Sequence, residues 1–294
     1  MIKQINLLEV FCYVDDFCKI FEPQWYHNMI GKKIFKCALS MSEILTILIV
    51  FQFSGFKNFK YFYFFLQLNH KKDFPKLLSY SRFVEVERYF MVPLISFLEF
   101  HFVDYSDINY VDSTPLKICH NKRIHSNKVF KKLARRGKST MGWFFGFKLH
   151  IATNEKGELL NAQITKGNVD DRSVIPKLCK KIKGRIFGDK GYISQKLFEE
   201  MLEKGLRIIT ALRAKMKPKL MVFGESELLK KRSMIESVFH ILKDILLVNH
   251  TRHRCPINFM INIISALCAY CLYPGKPSIK INGNRTAPVA LMVS

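Results

Sequence analysis

The sequence lacks any apolar run that is long enough to cross a lipid bilayer. The run at residues 44–53 is too short to span one, and the run at residues 257–273 is interrupted by Asn258 and Asn262 at one-turn spacing. Both runs fit buried helices of a protein core, so we expect no membrane partner. The N-terminal segment also lacks a small-residue cleavage site, so we expect no secretory signal peptide.

Paired cysteines of the kind that bind zinc are nearly absent. The eight cysteines are scattered, and only Cys268 and Cys271 form a C-x-x-C motif. A structural zinc site needs four ligands, and neither a second cysteine pair nor a histidine pair lies nearby. We therefore interpret these two thiols as core residues. Dispersed thiols without a signal peptide are typical of a reducing cytosol, and we expect a cytoplasmic protein.

Acidic residues are scarce in the second part of the chain. Residues 1–107 contain 12 basic and 11 acidic side chains, whereas residues 108–294 contain 35 basic and 13 acidic ones. The formal net charge of +23 therefore lies almost entirely after residue 107. Such a surface favours a polyanion, because each phosphate that is neutralised releases condensed counterions. The alternative is a basic face that serves solubility alone.

The first 105 residues predict a helical region. Leu7, Phe11, Val14 and Cys18 recur at helical spacing, and Ser40 or Ser42 can cap a second helix that begins near residue 43. Residues 51–68 are dense in phenylalanine and tyrosine. These rings predict either the core of a small helical unit or a platform on which nucleic-acid bases stack.

From residue 107 the pattern changes to alternating strands and helices. Pro115 is expected to end the first strand, and the last helix carries Glu236. Strands are predicted at residues 108–112, 144–151, 160–164, 185–187 and 207–212, with helices at residues 170–183 and 194–204 and a long final helix. Three strands followed by alternation is the order of a ribonuclease H-like mixed sheet. In that fold the first and fourth strands are neighbours, so Asp112 and Asp189 would come together.

Two of the carboxylates stand out because of where they lie. Asp112 ends a strand, and the ten charged residues between it and Glu155 are all basic. Asp189 lies between Gly188 and Lys190 in the segment GDKGY, where glycine lets backbone approach a ligand closely. Phosphodiester cleavage by two divalent cations needs carboxylate ligands within a basic surface. Locally, each aspartate also fits an ordinary turn or cap.

Glu236 is the third candidate carboxylate. Arg232, Glu236 and Lys243 follow one another at i, i+4 and i+11, which predicts one stripe along the edge of the apolar face of a straight helix. The two cations of that stripe can hold DNA phosphates. The alternative is an ordinary i, i+4 ion pair between Arg232 and Glu236 on the surface.

Several long motifs occur in order along the chain. The segment at residues 110–127 reads YVDSTPLKICHNKRIHSN, and related motifs follow at residues 142–160, 165–178, 188–200 and 231–243. Together they resemble DDE transposases of bacterial insertion sequences, and they are most similar to the insertion-sequence-982 family. The resemblance extends back through residues 15–25 and 42–63, and it covers roughly residues 5–278.

The resemblance implies a metal-dependent enzyme that cuts and joins DNA. It implies a ribonuclease H-like catalytic domain in which Asp112, Asp189 and Glu236 bind two Mg²⁺ or Mn²⁺ ions. Related enzymes carry a Tyr-Arg-Glu-Lys signature on the last helix; Arg232 and Lys243 fit it, whereas Leu229 replaces the tyrosine. The expected partner is double-stranded DNA at transposon ends and at the target, bound by a homodimer in the nucleoid of a bacterial cytoplasm.

The predicted organisation has three parts. Residues 1–105 would bind end DNA or serve assembly, residues 106–278 would form the catalytic domain, and residues 279–294 would be a variant or disordered tail. Further DNA contacts are expected from basic residues beside the carboxylates: Lys190, Lys122, Arg123, Lys128, Lys131, Lys132, Arg135 and Arg136. Two other interpretations remain, namely a DNA-binding protein without catalysis and a plain nuclease of the same fold.

Overall fold

A computed structural model describes residues 6–28, 37–212, 222, 224–249 and 253–279 of the chain. Contacts divide the chain into two compact units. The first, which we call the helical unit, comprises Met1–His101 and His240–Gly275. The second, which we call the sheet unit, comprises Phe102–Phe239 and Lys276–Ser294. Residues 256–272, which the sequence placed in the catalytic domain, thus lie with the helical unit.

Ten α-helices and six β-strands are found in the described residues. The helices are α1 (Leu7–Asn28), α2 (Met41–Phe53), α3 (Phe59–Asn69), α4 (Tyr80–Val86), α5 (Met91–Phe100), α6 (Ile175–Leu178), α7 (Gln195–Glu203), α8 (Glu225–Lys230), α9 (Ser233–His240) and α10 (Pro256–Leu272). The strands are β1 (Ile108–Cys119), β2 (Arg135–Ser139), β3 (Gly142–Asn154), β4 (Leu159–Lys166), β5 (Gly184–Gly188) and β6 (Leu206–Thr210).

The centre of the helical unit is built from α2 and α10, which bury residues on nearly every side. Ser40 and Glu43 form a reciprocal capping box that fixes the start of α2, as the sequence predicted. Asn262 is satisfied inside this core, because the Nε2 of Gln52 donates to its Oδ1 at 3.1 Å. Of the helices in the described part of the chain, none combines the length and the apolar character that a membrane span requires.

The aromatic segment of α3 has two faces. Phe62 and Tyr63 are buried, and the ring of Tyr63 packs 5.0 Å from that of Phe83, measured between centroids. Tyr61 and Phe64 face outward and are 66% and 41% exposed. The core interpretation of these aromatics therefore holds for one face of the helix, and the other face is open.

The sheet unit has a mixed sheet with helices beside it, the predicted ribonuclease H-like arrangement. The strand order is β2-β3-β1-β5-β6, and β4 pairs with the second half of β3. β1 runs antiparallel to β3 and parallel to β5. The predicted neighbourhood of the first strand and the strand at residue 185 is thereby confirmed.

Two predicted strand features were wrong. β1 does not end at Pro115 but continues to Cys119, with Pro115 opposite Lys148 on β3. β5 pairs with β1 only at residues 108–110, so the far half of β1 has β3 as its sole described strand partner beside Pro115. Proline is tolerated on such an edge, where a missing N–H breaks no ladder. β2 was missed altogether, because its sequence RRGKS is basic rather than alternating.

Two predicted helices were also too long. The predicted helix at residues 170–183 is a 3₁₀ turn at Asp171–Ser173 followed by the single-turn α6, although Asp170 does cap it. The predicted long final helix is broken into α8, α9 and a π-helical turn at Ile241–Ile245. Apart from Ile279, the predicted tail lies outside the described residues.

Candidate active site

Two neighbouring parallel strands place Asp112, which lies within β1, and Asp189, which directly follows β5. The register pairs Tyr110 of β1 with Phe187 of β5. Asp112 lies two residues after Tyr110, and Asp189 lies two residues after Phe187. Continuing this register puts the two carboxylates at equivalent positions. They interact electrostatically, since Asp189 is among the groups that raise the pKa of Asp112. The sequence brought these two residues together correctly across a long stretch of chain.

Asp112 is mostly buried, and its surroundings shift the pKa of its carboxyl group. Burial raises its pKa to about 6, while the backbone N–H of Ser113 and the Arg232 guanidinium act in the opposite direction. Ser113 N donates to Asp112 Oδ1 at 2.8 Å. A buried carboxyl whose pKa is shifted strongly, beside a specific charged partner, is typical of a functional site.

Arg232 links Asp112 to Glu236. Its Nη1 donates to Asp112 Oδ2 at 3.0 Å, and its Nη2 approaches Glu236 Oε1 at 3.4 Å. The i, i+4 ion pair expected from the sequence is therefore present, and the contact with Asp112 spans 120 positions of sequence. The Glu236 side chain is 63% exposed, so it is free to change rotamer. The Arg232 guanidinium thus contacts two of the three candidate carboxylates.

A fourth carboxylate, Asp171, lies beside this group and was missed as a site residue. Ser113 Oγ donates to Asp171 Oδ2 at 2.8 Å, and Lys148 Nζ donates to Asp171 Oδ1 at 2.7 Å. Lys148 also donates to the carbonyl of Val169 at 2.9 Å. The sequence did contain a signal for this pair. Lys148 is a lone lysine within the apolar strand β3, and a lysine in such a place needs a buried partner of opposite charge.

Tyr192 lies beneath the aspartates. It is 2% exposed, and within the described part of the chain its hydroxyl has no hydrogen-bond partner. Burial raises its pKa well above the usual value, and Asp112, Asp171 and Asp189 add to that effect. A Cβ at Gly188 would lie 2.9 Å from the Tyr192 ring, so glycine is needed there for the ring to pack.

The third member of the predicted stripe, Lys243, has a different setting from the one expected. Arg232 lies in a turn before α9, and Lys243 lies in the π-helical turn that belongs to the helical unit. π-Helical turns have i→i+5 hydrogen bonds, so the i+11 spacing of a straight α-helix does not apply. The predicted single stripe is therefore corrected to the pair Arg232 and Glu236.

The other predicted DNA contacts lie on exposed parts of the sheet unit. Lys190 directly follows Asp189, and its backbone N–H donates to Asp189 Oδ1 at 2.6 Å. Arg135 and Arg136 are exposed on β2. The remaining basic residues are exposed in the segment between β1 and β2: Lys122, Arg123, Lys128, Lys131 and Lys132.

The oxygen donors of this site fit a hard divalent cation. Mg²⁺ and Mn²⁺ bind carboxylates, and Asp112, Asp189 and Glu236 offer them within a basic unit. As the side chains stand, no three His, Cys, Asp or Glu residues of the described chain are grouped closely enough to hold a metal ion. Arg232 explains part of this, because it occupies oxygens of both Asp112 and Glu236.

Comparisons with known proteins bear on the same region. No curated protein matches the chain significantly. One solved structure that resembles it is the piggyBac transposase synaptic complex with hairpin DNA, with a TM-score of 0.39 and 12% identity. The likeness covers 57% of this chain and 47% of that one, so this chain matches about half the length of that transposase. The transposase DDE domain family matches residues 102–256, which is more than half of the chain and includes all of Phe102–Phe239 of the sheet unit. The chain therefore belongs to the transposase DDE domain family.

Proposed function

We propose that the protein is a DDE transposase of a bacterial insertion sequence, of the insertion-sequence-982 type. It cuts DNA strands at the ends of its element and joins them to target DNA. The observation that carries this proposal is the convergence of Asp112 and Asp189 where the pairing of β1 with β5 ends, with Glu236 linked to Asp112 through Arg232. Membership of the DDE domain family supports it.

The three carboxylates are proposed as the ligands of two Mg²⁺ or Mn²⁺ ions. Bound there, such ions would neutralise the scissile phosphate and activate a water or a 3′-hydroxyl. Asp112 and Asp189 contribute from the rigid sheet, and Glu236 contributes from an exposed position on α9. Lys148 and Ser113 hold Asp171 through hydrogen bonds, which fixes the part of β1 that carries Asp112.

Arg232 has two roles in this proposal. Without DNA, its guanidinium neutralises Asp112 and Glu236, whose like charges would otherwise repel each other. With DNA, it turns to a phosphate, because a planar guanidinium binds phosphate oxygens through two parallel hydrogen bonds. No covalent protein–DNA intermediate is needed, since the freed 3′-hydroxyl attacks the target phosphodiester directly.

The basic surface of the sheet unit is proposed to hold the substrate. Lys190 would contact phosphates near the cleavage site, and the segment before β2, together with Arg135 and Arg136, would hold flanking duplex. Lys243, which belongs to the helical unit, is proposed as a further phosphate contact. Transposition requires two ends to be held together, so we propose a homodimer on DNA. We propose that the protein acts in the bacterial cytoplasm at the nucleoid, and that the helical unit recognises ends or serves assembly.

Replacement of single carboxylates tests the proposed metal ligands. Asp189→Asn and Glu236→Gln keep the size of each side chain but remove its charge. We expect both to abolish strand cleavage on duplexes drawn from the DNA that flanks the coding sequence, in Mg²⁺ and in Mn²⁺. Glu227→Gln, on an exposed residue of α8, is the matched control and should cleave normally. DNA binding, measured in Ca²⁺, should persist in all three variants.

Each contrary outcome identifies a different alternative. Cleavage by Asp189→Asn at the wild-type rate would refute the assignment of the metal ligands. Cutting by the wild-type protein without joining to target DNA would indicate a plain nuclease. Binding by the wild-type protein without any cutting would indicate a DNA-binding protein that has lost catalysis.

A further inference from the structure

Trp143 is an exposed aromatic ring on a strand whose other aromatic residues are buried. Phe144, Phe145 and Phe147 of β3 are at most 5% exposed, whereas Trp143 is 55% exposed. The neighbouring Met141, in the turn that leads into β3, is 85% exposed. Tryptophan has the largest apolar surface of any side chain, so its exposure next to a buried core indicates a binding surface.

Two cations flank the Trp143 ring. The Cζ of Arg136 lies 5.4 Å from the ring centroid, and the Nζ of Lys138 lies 5.9 Å from it. Both residues lie on β2, and Lys138 is the direct strand partner of Trp143. An aromatic face beside guanidinium and ammonium groups is the combination that binds a nucleobase by stacking and its phosphate by charge.

A groove of about 380 Å³ begins at this ring. This volume lies within the range of pockets that bind small molecules. Its lining includes Trp143 and its strand partner Lys138, and also Lys148 and Asp171. Asp171 accepts a hydrogen bond from Ser113, the residue after Asp112. The groove therefore leads from the exposed ring to the neighbourhood of the candidate catalytic carboxylates.

Close packing of glycines gives the groove its shape. A Cβ at Gly137 would lie 2.0 Å from the carbonyl oxygen of Gly167, and a Cβ at Gly167 would lie 2.7 Å from the carbonyl oxygen of Arg135. The two acidic residues of the lining are compensated by ion pairs, Asp170 with Arg172 and Asp171 with Lys148. Arg136 and Lys138 thus give the mouth of the groove its positive charge.

We propose that Trp143 and this groove bind an unpaired nucleotide of the DNA substrate. The base stacks on the Trp143 ring, and Arg136 and Lys138 hold the adjacent phosphate. A base that is paired within a duplex presents no free face, so the site selects a nucleotide that is flipped out or lies in a single-stranded end. This inference rests on the proposed function, because it assumes that the groove lies beside the DNA-cleavage site.

Intrinsic fluorescence gives a direct test, because the chain has only two tryptophans. Trp25→Phe leaves Trp143 as the sole reporter in the full-length protein. We expect its fluorescence to be quenched by a duplex that carries a five-thymidine single-stranded tail. A blunt duplex and a duplex with an abasic tail of equal length should not quench it. The titration is run in Ca²⁺ and repeated with Asp189→Asn, so that it is independent of catalysis.

Binding variants give the second readout. Trp143→Ala should weaken binding of the tailed duplex about tenfold, as expected for the loss of one stacked base. Its binding of the blunt duplex should not change, and Trp143→Phe should retain most of the affinity for the tail. Met141→Ala, which removes a neighbouring exposed side chain without a ring, is the matched control and should bind the tail normally.

The outcomes separate this inference from the proposed function. Equal quenching by tailed, blunt and abasic duplexes, or equal binding of the tail by Trp143→Ala, would overturn the nucleotide site. If quenching is specific to the tail but the wild-type protein cuts no DNA, the nucleotide site is retained and the transposase proposal is overturned. If the wild-type protein cleaves DNA normally but no quenching is seen, the transposase proposal is retained and the nucleotide site is overturned.

Discussion

At the scale of single residues, Glu87 is an unusual group of the helical unit. It is 5% exposed and lines a cavity of about 70 Å³ together with His253, Asn258 and Ser265. Burial raises the pKa of Glu87 to about 8, from an ordinary value of 4.5. Burial also lowers the pKa of His253 to about 4, from 6.5. Both groups are therefore neutral in the folded protein at pH 7.

The raised pKa of Glu87 makes the free energy of unfolding depend on pH. The folded state keeps the proton that the unfolded state releases above pH 4.5, so the contribution of Glu87 to stability is complete below pH 4.5 and is lost as pH rises toward 8. We expect Glu87→Gln to remove this loss and to be more stable than wild type at pH 8.5, by on the order of 2–4 kcal/mol. Urea unfolding of wild type and Glu87→Gln at pH 7 and pH 8.5 measures this difference in the free energy of unfolding.

The choice of pH range isolates Glu87 from its neighbour. His253 has a lowered pKa, so its contribution is complete above pH 6.5 and is lost only as pH falls from there toward 4. Glu85→Gln, on an exposed residue of α4, is the control and should follow the wild-type curve. A Glu87→Gln variant with the wild-type slope between pH 7 and 8.5 would show that Glu87 is ionised in the folded state.

Residues of the candidate site differed in how far the sequence could reveal them. Asp112 and Asp189 each lie two residues after a paired position of neighbouring strands, so the predicted strand order was enough to predict that they are neighbours. Asp171 was predicted only to lie at the start of a helix, because its role depends on Ser113 and Lys148, which lie far away in sequence. The contact between Arg232 and Asp112 was hidden for the same reason. Periodicity describes one element at a time and cannot show contacts between elements.

At the scale of elements, the chain after α9 is unusual because its helix ends without glycine. Leu247 has a φ of 52°, the left-handed region that glycine usually fills. Val248 N donates to Leu242 O at 3.0 Å, one residue further back than the 6→1 bond of a Schellman motif, and Leu246 N donates to Ile241 O at 2.8 Å. The helix is terminated by hydrogen bonding, and Leu247 adopts a strained backbone to permit it.

Two substitutions at this position separate backbone strain from side-chain packing. Leu247→Ala and Leu247→Gly remove nearly the same apolar side chain, but only glycine relieves the left-handed strain. We expect the glycine variant to be more stable than the alanine variant by about 1 kcal/mol, the reverse of their order inside a helix. Thermal or urea unfolding of the pair measures the difference. An alanine variant that is equally or more stable would mean that the chain leaves this conformation in solution.

Elements were predictable where their pattern reflects one buried face. β3 alternates and was found, whereas β2 is nearly all polar and was missed. Pro115 was expected to end β1, since a sequence does not show on which side a strand has its partner. The final helix was predicted to be straight, and a π-helical turn leaves the apolar spacing almost unchanged. Each error therefore concerns hydrogen bonding, which the apolar pattern does not record.

At the scale of the whole molecule, the charge is divided between the two parts of the chain. The sheet unit presents basic residues on the exposed segment before β2, while the first 107 residues are nearly neutral. If this segment holds duplex DNA, its lysines neutralise phosphates, and the DNA then releases the counterions condensed on it. The dependence of affinity on salt then reports how many of them neutralise a phosphate.

Two sets of four exposed lysines make a balanced comparison. The first set is changed to glutamine in the sheet unit, at Lys122, Lys128, Lys131 and Lys132. The second set is changed in the helical unit, at Lys57, Lys71, Lys72 and Lys76. Each removes the same charge, so the net charge of the two variants is identical. We expect the first set to lower the slope of log affinity against log salt by roughly 0.9 for each phosphate that is no longer neutralised, and the second to leave it unchanged.

Fluorescence anisotropy with a blunt duplex of arbitrary sequence, between about 50 and 200 mM salt, would measure both slopes, a range over which several phosphate contacts change affinity by orders of magnitude. Equal reductions from the two sets would mean that charge acts at long range and that no particular surface holds the duplex. A reduction from the second set alone would move the DNA-binding surface to the helical unit. Only a reduction confined to the first set supports the assignment of duplex binding to the basic segment beside the candidate catalytic carboxylates.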